Sequence, residues 1–564
     1  MSLPKELVIY LPAGEVDPPA NPYGRLIANA GLYRALVRYG GYQNLHIQGR
    51  KTLGLDQLAR ELFISDASGV TLSSGSPLST ERPARAGVLL SGQPYLSELA
   101  WIRRHASQDH AYSIVGSIFA FASATHREQM MGSAMAPLHD WDALICTSPT
   151  LEAAVRRTFD RWEDYLRERT GATRLPRPAL PVIPLAVDVD LLGAQRADAG
   201  ARAALRAAHQ MAPTDVLVLF LGRLSFYDKA FPQAMFKAVE EAQRLSGAKV
   251  HFVMAGWFPM GDADEARFRE AAQCYAANVN TIFLDGNNPA VVGQCWAAAD
   301  IFLLLSDTIL ETFGQAPVEA MAAGLPVVVS DWDGYRSIVR DGVDGYLVPT
   351  LGAAAGPMGE TLALLQSLEM ANWGQYLGGV AQHTAVHIGR AAQALSRLMA
   401  SAELRERMGT EGKSRTRELF SWPVVVQQYQ ELFSELTDRR LSATSESRSE
   451  GMTSHRMNPL RGDPFLDFKE YSTAVMCPTM RLRLLKTDGH DPLGSNPVVA
   501  LDHLFPGLRG SLDEARQVVR MLRAEEALTA EEVAQRFPPN RRPLIRMTLA
   551  WLAKLGVIDW LPAD

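Results

Sequence analysis

The chain has 564 residues, of which 47% are hydrophobic and 21% charged, and a formal net charge of −6. That length exceeds what one hydrophobic core organises, so several domains are expected; the mild acidity argues against general binding to nucleic acid or to an anionic membrane. The cysteines, Cys146, Cys274, Cys295 and Cys477, stand apart, with no CxxC pair and no histidine in metal register. This sets aside a disulfide framework and a zinc site, and it fits a reducing cytoplasm.

The opening MSLPKELVIYLP has no charged region followed by a long apolar one, and it reads as a strand over 6–11 rather than a signal peptide. No run approaches the roughly 18 apolar residues of a transmembrane helix, so at most peripheral membrane contact is expected. Apolar residues at helical spacing follow over 25–38, then strands over 87–90, 112–115 and 142–146, the last leading into a long helix over 151–169. Such alternation implies a parallel sheet with helices on both faces.

A second alternating set begins with VLVLFL at 216–221 and continues with a helix over 233–245 and strands over 249–256, 281–284 and 301–306. The strand at 326–330, PVVVS, is wholly apolar, as for a strand covered on both faces. Two Rossmann-like halves are therefore expected, 1–200 and 201–438, with the ligand at the carboxyl ends of the strands in the cleft between them. Residues 439–460 begin with the polar, Ser-rich RRLSATSESRSEGMTSH and read as a linker to an accessory domain over 461–564.

Chemistry is concentrated in 311–349, ETFGQAPVEAMAAGLPVVVSDWDGYRSIVRDGVDGYLVP. Glu311 and Glu319 stand eight residues apart with Gly314 and Pro317 between them, ahead of a small-residue helix and an apolar strand. Ionised carboxylates accept hydrogen bonds from neighbouring hydroxyls in pairs, which suits sugar and ribose. A carboxylate in a helix's first turn, where Glu319 is expected, also satisfies the macrodipole. Gly314, Gln315 and Ala316 are expected to precede that helix and offer its unpaired N–H groups to phosphate or sugar oxygens, Gly314 allowing close approach. In GRLSFYDKAFP, Gly222, Arg223 and Lys229 follow directly on the strand 216–221, where a planar fork and a point charge suit a diphosphate.

In this order the residues resemble the donor-binding motif of retaining glycosyltransferases of the glycosyl transferases group 1 type, family four. The resemblance implies an α/β GT-B fold, two Rossmann-like domains facing a cleft, 1–200 on the acceptor side and 201–438 binding the donor, with the segment 181–190 leading from one to the other. It implies that Glu311 contacts the transferred sugar, that Glu319 binds the ribose, and that Arg223 and Lys229 grip the nucleotide diphosphate. Thr312 and Phe313 complete the donor set, with Gly24 of the NPYG loop at 21–24 facing the diphosphate and DGNN at 285–288 read either as a base contact or as a turn. The family's acceptor-side histidine falls at Phe119 here; His126 lies further along, and both are taken as acceptor-side candidates. Catalysis would rest on Glu311, Arg223 and Lys229, with no enzymic nucleophile, no metal and no cofactor beyond the nucleotide sugar as co-substrate. Asp331 and Asp333 spell DWD, but they lie in the loop after the motif and are not read as a divalent-cation site.

Over 511–564 the tail reads helix, helix, helix, strand, and LTAEEVAQRF followed by a helix with Trp551, Leu552 and Leu555 resembles a small, mainly helical winged-helix module. It would either read DNA through Arg541, Arg542 and Arg546 or bind a protein partner or a second copy. Acidic and basic residues balance there, which favours the second. The expected function is cytoplasmic carbohydrate biosynthesis, transfer of a sugar from a nucleotide donor to a carbohydrate or other hydroxyl acceptor. The alternatives are a sugar-nucleotide epimerase or a nucleotide-sugar-binding scaffold without activity.

Overall fold

Two parallel sheets of six strands, built on the same plan, make the larger part of the protein. The computed structural model describes residues 5–12, 24–50, 54–62, 69–443, 455–485, 493 and 507–561, and the chain divides into two units, Met1–Asn458 and Pro459–Asp564. In the first sheet, β1 (Glu6–Leu11), β2 (Asn44–Gly49), β3 (Thr71–Gly75), β4 (Val88–Ser91), β5 (Ser113–Ile118) and β6 (Ala143–Cys146) take the order β3-β2-β1-β4-β5-β6. In the second, β7 (Val216–Leu221), β8 (Val250–Gly256), β9 (Asn280–Asp285), β10 (Ile301–Leu304), β11 (Val327–Ser330) and β12 (Gly345–Val348) take the order β12-β11-β10-β7-β8-β9. All of these pairings are parallel. Every residue of β1, β5 and β8 is buried, because helices cover both faces.

Strand order reverses between β1 and β4 in one sheet and between β7 and β10 in the other. A doubly wound sheet opens its ligand crevice at the carboxyl end of that reversal, where successive helices diverge to opposite faces. This is the GT-B arrangement, and it predicts where the loops after β7 and β10 must meet.

A buried ion pair pins the first sheet. Arg103 donates to both carboxylate oxygens of Asp142 at 2.7 Å and to the carbonyls of Tyr112 (2.7 Å) and Pro137 (3.1 Å), while Asp142 also accepts from the backbone N–H of Ile114 and His139. The charges are thus met by hydrogen bonds as well as by each other, the condition for tolerating them out of water.

The passage between the halves is irregular. Residues 181–190 make isolated bridges, Cys146↔Val182 and Val187↔Ser421, and the helix Val189–Arg196 begins inside the segment. Pro181 and Pro184 lack the N–H groups a ladder needs. The linker also begins later than 439. The helix Trp422–Ser442 crosses from the second half and buries Val425, Tyr429, Phe433 and Leu436 in the core of the first sheet. Arg440, read as linker, instead donates to the carbonyls of Ala111 (2.6 Å) and His110 (3.1 Å). The rest of the Ser-rich stretch, 444–454, lies outside the described residues.

Beyond β12 the chain inserts an unanticipated element. An antiparallel hairpin, β13 (Thr350–Gly352) with β14 (Thr384–Val386), closes off the helices Pro357–Ser367 and Trp373–Ala381.

In the second unit β15 (Arg481–Leu484) pairs antiparallel with β16 (Leu528–Thr529) and β17 (Ile558–Trp560), next to the helices Leu512–Ala524, Ala530–Gln535 and Arg542–Lys554. The expected lone strand is therefore one of three, the central one coming from upstream of the helices. Ser511 with Glu514, and Thr529 with Glu532, form capping boxes that fix two helix starts. Arg541 pairs with Glu514 (2.6 Å) and Arg546 with Glu531 (2.7 Å), and Arg542 donates to the Phe537 carbonyl (3.2 Å). The arginines a DNA reader would use are engaged within the unit. Among the described residues, no helix is long and apolar enough to cross a membrane.

Candidate functional site

The loops after β7 and β10 meet as the topology requires. Lys229 extends its Nζ to Oε2 of Glu311 at 2.8 Å, and Arg223, on the same loop, is held by Asp228 at 2.9 Å. The Tyr335 hydroxyl donates to the same oxygen of Glu311 at 3.0 Å. Gly314 makes this possible. Its φ of +116° belongs to the region that favours glycine, and a Cβ there would stand 2.4 Å from the Tyr335 ring. The aromatic ring lies flush on the backbone and delivers its hydroxyl to Glu311.

Burial pushes the Glu311 carboxyl upward, but the Lys229 charge and hydrogen bond, the Tyr335 hydroxyl and the Arg223 charge outweigh it and hold the group below its ordinary range. Glu319 behaves oppositely: burial raises it to about 7, against a hydrogen bond from Gln315 and the charge of Lys229. Two carboxyls of one motif are therefore driven in opposite directions, Glu311 toward the anion and Glu319 toward the protonated form.

The helix carrying Glu319 runs Gln315–Ala322 with Gly314 as its N-cap, so Gln315 and Ala316 belong to the first turn instead of preceding it. Glu319 accordingly sits one turn in, and the first turn holds no acidic side chain. The macrodipole reading of Glu319 does not apply; the first-turn N–H groups stay available to an anion.

These groups face a cleft of about 2410 Å³ between the two sheets. Every donor and acceptor residue singled out from the motifs lines it: Gly222, Arg223, Lys229 and the run from Glu311 to Ala316 with Glu319 on one wall, and Gly24, Phe119 and His126 on the other. Gly24 starts the helix Gly24–Tyr39 with open space where a Cβ would be; the rest of NPYG lies outside the described residues. Of DGNN, Gly286 and Asn287 reach the cleft.

Four hydrogen bonds tie the walls together beside Glu311. Thr312 Oγ1 donates to the Phe119 carbonyl (3.0 Å) and Thr147 Oγ1 to the Thr312 carbonyl (3.1 Å). Ser148 and Thr150 donate to the side chain and the carbonyl of Asp333, at 3.1 and 3.2 Å. Phe119 thus serves this junction through its carbonyl, which any side chain would supply. His126 is held at its backbone by the Ser123 hydroxyl (3.4 Å), with its ring 5.7 Å from that of Tyr95. Burial and the nearby Arg25 lower its pKa, which favours the neutral ring. DWD is dispersed, Asp331 pairing with Arg336 at 2.6 Å while Asp333 turns to Ser148.

Three polar residues escaped the motif reading. Asp228 was legible only as part of the loop string, and nothing local marks Tyr335 as the partner of a residue 24 positions away. Asp307 follows β10, is 5% exposed, and accepts the Phe231 N–H at 3.3 Å. Burial raises its pKa to about 7.

Comparison with known proteins meets this geometry at the second sheet. Residues 201–355 match the family described as glycosyl transferases group 1. A D-inositol 3-phosphate glycosyltransferase of Nocardia farcinica is 30% identical over 175 residues, covering 30% of this chain and 37% of the relative. A phosphatidyl-myo-inositol mannosyltransferase of Mycobacterium leprae is 36% identical over 138 residues, 24% of this chain and 34% of the relative. The chain thus spans about a third of the length of the curated relatives it matches. Among solved structures, a sucrose-phosphate synthase from Thermosynechococcus elongatus aligns with a TM-score of 0.46 and 18% identity, covering 77% of this chain and 99% of that one.

Proposed function

We propose that the protein is a cytoplasmic hexosyltransferase that moves a sugar from a nucleoside diphosphate donor to a hydroxyl acceptor, with retention and without a divalent metal. The observation that carries this reading is the convergence of Arg223, Lys229 and Glu311 at the strand-order reversal of the second sheet, inside one cleft. The match of this stretch to glycosyl transferases group 1 supports it.

In this reading the diphosphate lies against Arg223, Lys229 and the N–H groups that open the helix Gln315–Ala322. As the bond from sugar to phosphate breaks, charge grows on the leaving diphosphate, and these preset donors stabilise it without reorganising. Glu311, kept anionic, accepts hydroxyls of the transferred sugar and orients its anomeric carbon. The acceptor hydroxyl attacks from the face the nucleotide leaves, passing its proton toward the departing phosphate oxygen, so configuration is kept and no enzymic nucleophile is required. Glu319 accepts ribose hydroxyls. Cations in the phosphate position take the place a divalent ion would fill, and the acidic pair of DWD is occupied by Arg336 and Ser148.

The test is a thermal-shift panel of UDP-, GDP-, ADP- and dTDP-sugars, followed by assay of released nucleoside diphosphate. A bound donor stabilises the native chain by mass action. A shift with slow nucleotide release supports a transferase; a shift with no turnover in the presence of any hydroxyl acceptor supports the scaffold reading.

A further inference from the structure

We propose that the insert closed off by β13 and β14 forms a binding subsite for an uncharged carbohydrate acceptor, with Trp373 as its stacking platform. The inference rests on the transferase reading and assigns the acceptor side of the same cleft. Tyr376 and Leu377, on the helix Trp373–Ala381, bury themselves with Ala122 of the first half and with Ile309 and Leu310, which lead directly into Glu311. The insert therefore spans both walls beside the carboxylate assigned to the transferred sugar. Its other contact is the phosphate-side loop: a Cβ built on Gly378 would stand 3.5 Å from Tyr227, which lies between Arg223 and Lys229.

What the insert turns into the cleft has the chemistry of sugar recognition. Trp373, 38% exposed and stacked on Tyr376 with ring centroids 6.0 Å apart, offers a fixed apolar face, and Gln366, Asn372, Gln375 and Gln382 offer carboxamides that both donate and accept. The oxygens of Asn372 and Gln375 each accept a backbone N–H in a capping box, an exchange that does not engage their amide nitrogens. None of the insert's cleft-lining side chains is charged, whereas the loops it packs against bring Arg223, Lys229 and Glu311 to the same cleft. A neutral face beside a charged donor site selects a neutral hydroxylated acceptor over a phosphorylated or sialylated one.

The experiment is a glycan array carrying neutral, phosphorylated and sialylated oligosaccharides, read with the full-length chain saturated with UDP or GDP. Wild type, Trp373→Ala, Trp373→Phe and Gln382→Ala are compared, with thermal melts confirming that each is folded. The inference predicts binding confined to neutral glycans, at least tenfold weaker in Trp373→Ala, partly restored in Trp373→Phe, and nucleotide affinity unchanged throughout. Nucleotide binding by wild type combined with no glycan binding, with preference for anionic glycans, or with equal binding by a folded Trp373→Ala would overturn the subsite alone. Absence of binding to UDP, GDP, ADP and dTDP alike would overturn the transferase reading and the subsite with it.

Discussion

Lys229 and Glu311, separated by 82 residues, meet at 2.8 Å because β7 and β10 are hydrogen-bonded neighbours at the point where strand order reverses. The pair fixes both charges before any ligand arrives. Lys229 keeps Glu311 ionised against the cost of burial, and Glu311 keeps the ammonium directed into the cleft. Glu311→Gln should lower transfer by about 10²–10⁴-fold, the range for removing a preset polar contact at a reacting centre, and leave nucleoside diphosphate affinity within a few-fold. Steady-state turnover beside calorimetric titration checks this; unaltered turnover would remove Glu311 from the sugar site.

Arg223 is braced by Asp228 at 2.9 Å and points into the same cleft. Arg223→Ala should weaken nucleoside diphosphate binding by about 1.5–3 kcal/mol, the worth of a hydrogen bond to a charged group. Nucleoside affinity should hardly change, since the effect belongs to the phosphates. Calorimetry with both ligands separates the two.

Asp307 gives a pH signature with a defined sign. Its folded pKa is raised from 3.8 to about 7, so between those values the native state holds a proton that the unfolded chain has released. Stability associated with this group is complete below the lower value and is lost as pH rises through the higher one. Asp307→Asn keeps an oxygen for the Phe231 N–H and should flatten that fall, with a higher melting temperature than wild type at pH 7.5. Parallel melting curves for the two proteins from pH 5 to 8 would contradict the assignment.

Asp142 tests the framework instead of the chemistry. Asp142→Ala would strand the Arg103 guanidinium, whose side chain is fully buried, and should cost about 3–5 kcal/mol of stability. Arg103→Met with Asp142→Leu, which removes both charges, should recover much of it. Denaturant melts of the single and double variants decide.

How much of this was readable from the sequence depends on what each element buries. β1 and β7 were found to the residue because each is an almost unbroken apolar run, buried at all but the last position of β7. β2 (NLHIQG) and β3 (TLSSG) were not, since polar residues interrupt strands that lie toward the sheet edge. The helix Pro357–Ser367 left no trace either: it buries no residue, so selection for a periodic apolar face is absent. The site residues were named by their order in the chain, but their pairing was not. Nothing near Glu311 in sequence announces Lys229 or Tyr335; strand order and the glycine at 314 bring them together.

The most direct measurement compares nucleoside diphosphate with monophosphate binding, UDP against UMP and GDP against GMP, in wild type and in Arg223→Ala and Lys229→Ala. If the cleft grips a diphosphate through these two cations, one diphosphate should bind at least tenfold tighter than its monophosphate, and each substitution should erase most of that margin. Equal affinity for diphosphate and monophosphate in wild type, or a margin that survives both substitutions, would contradict the account.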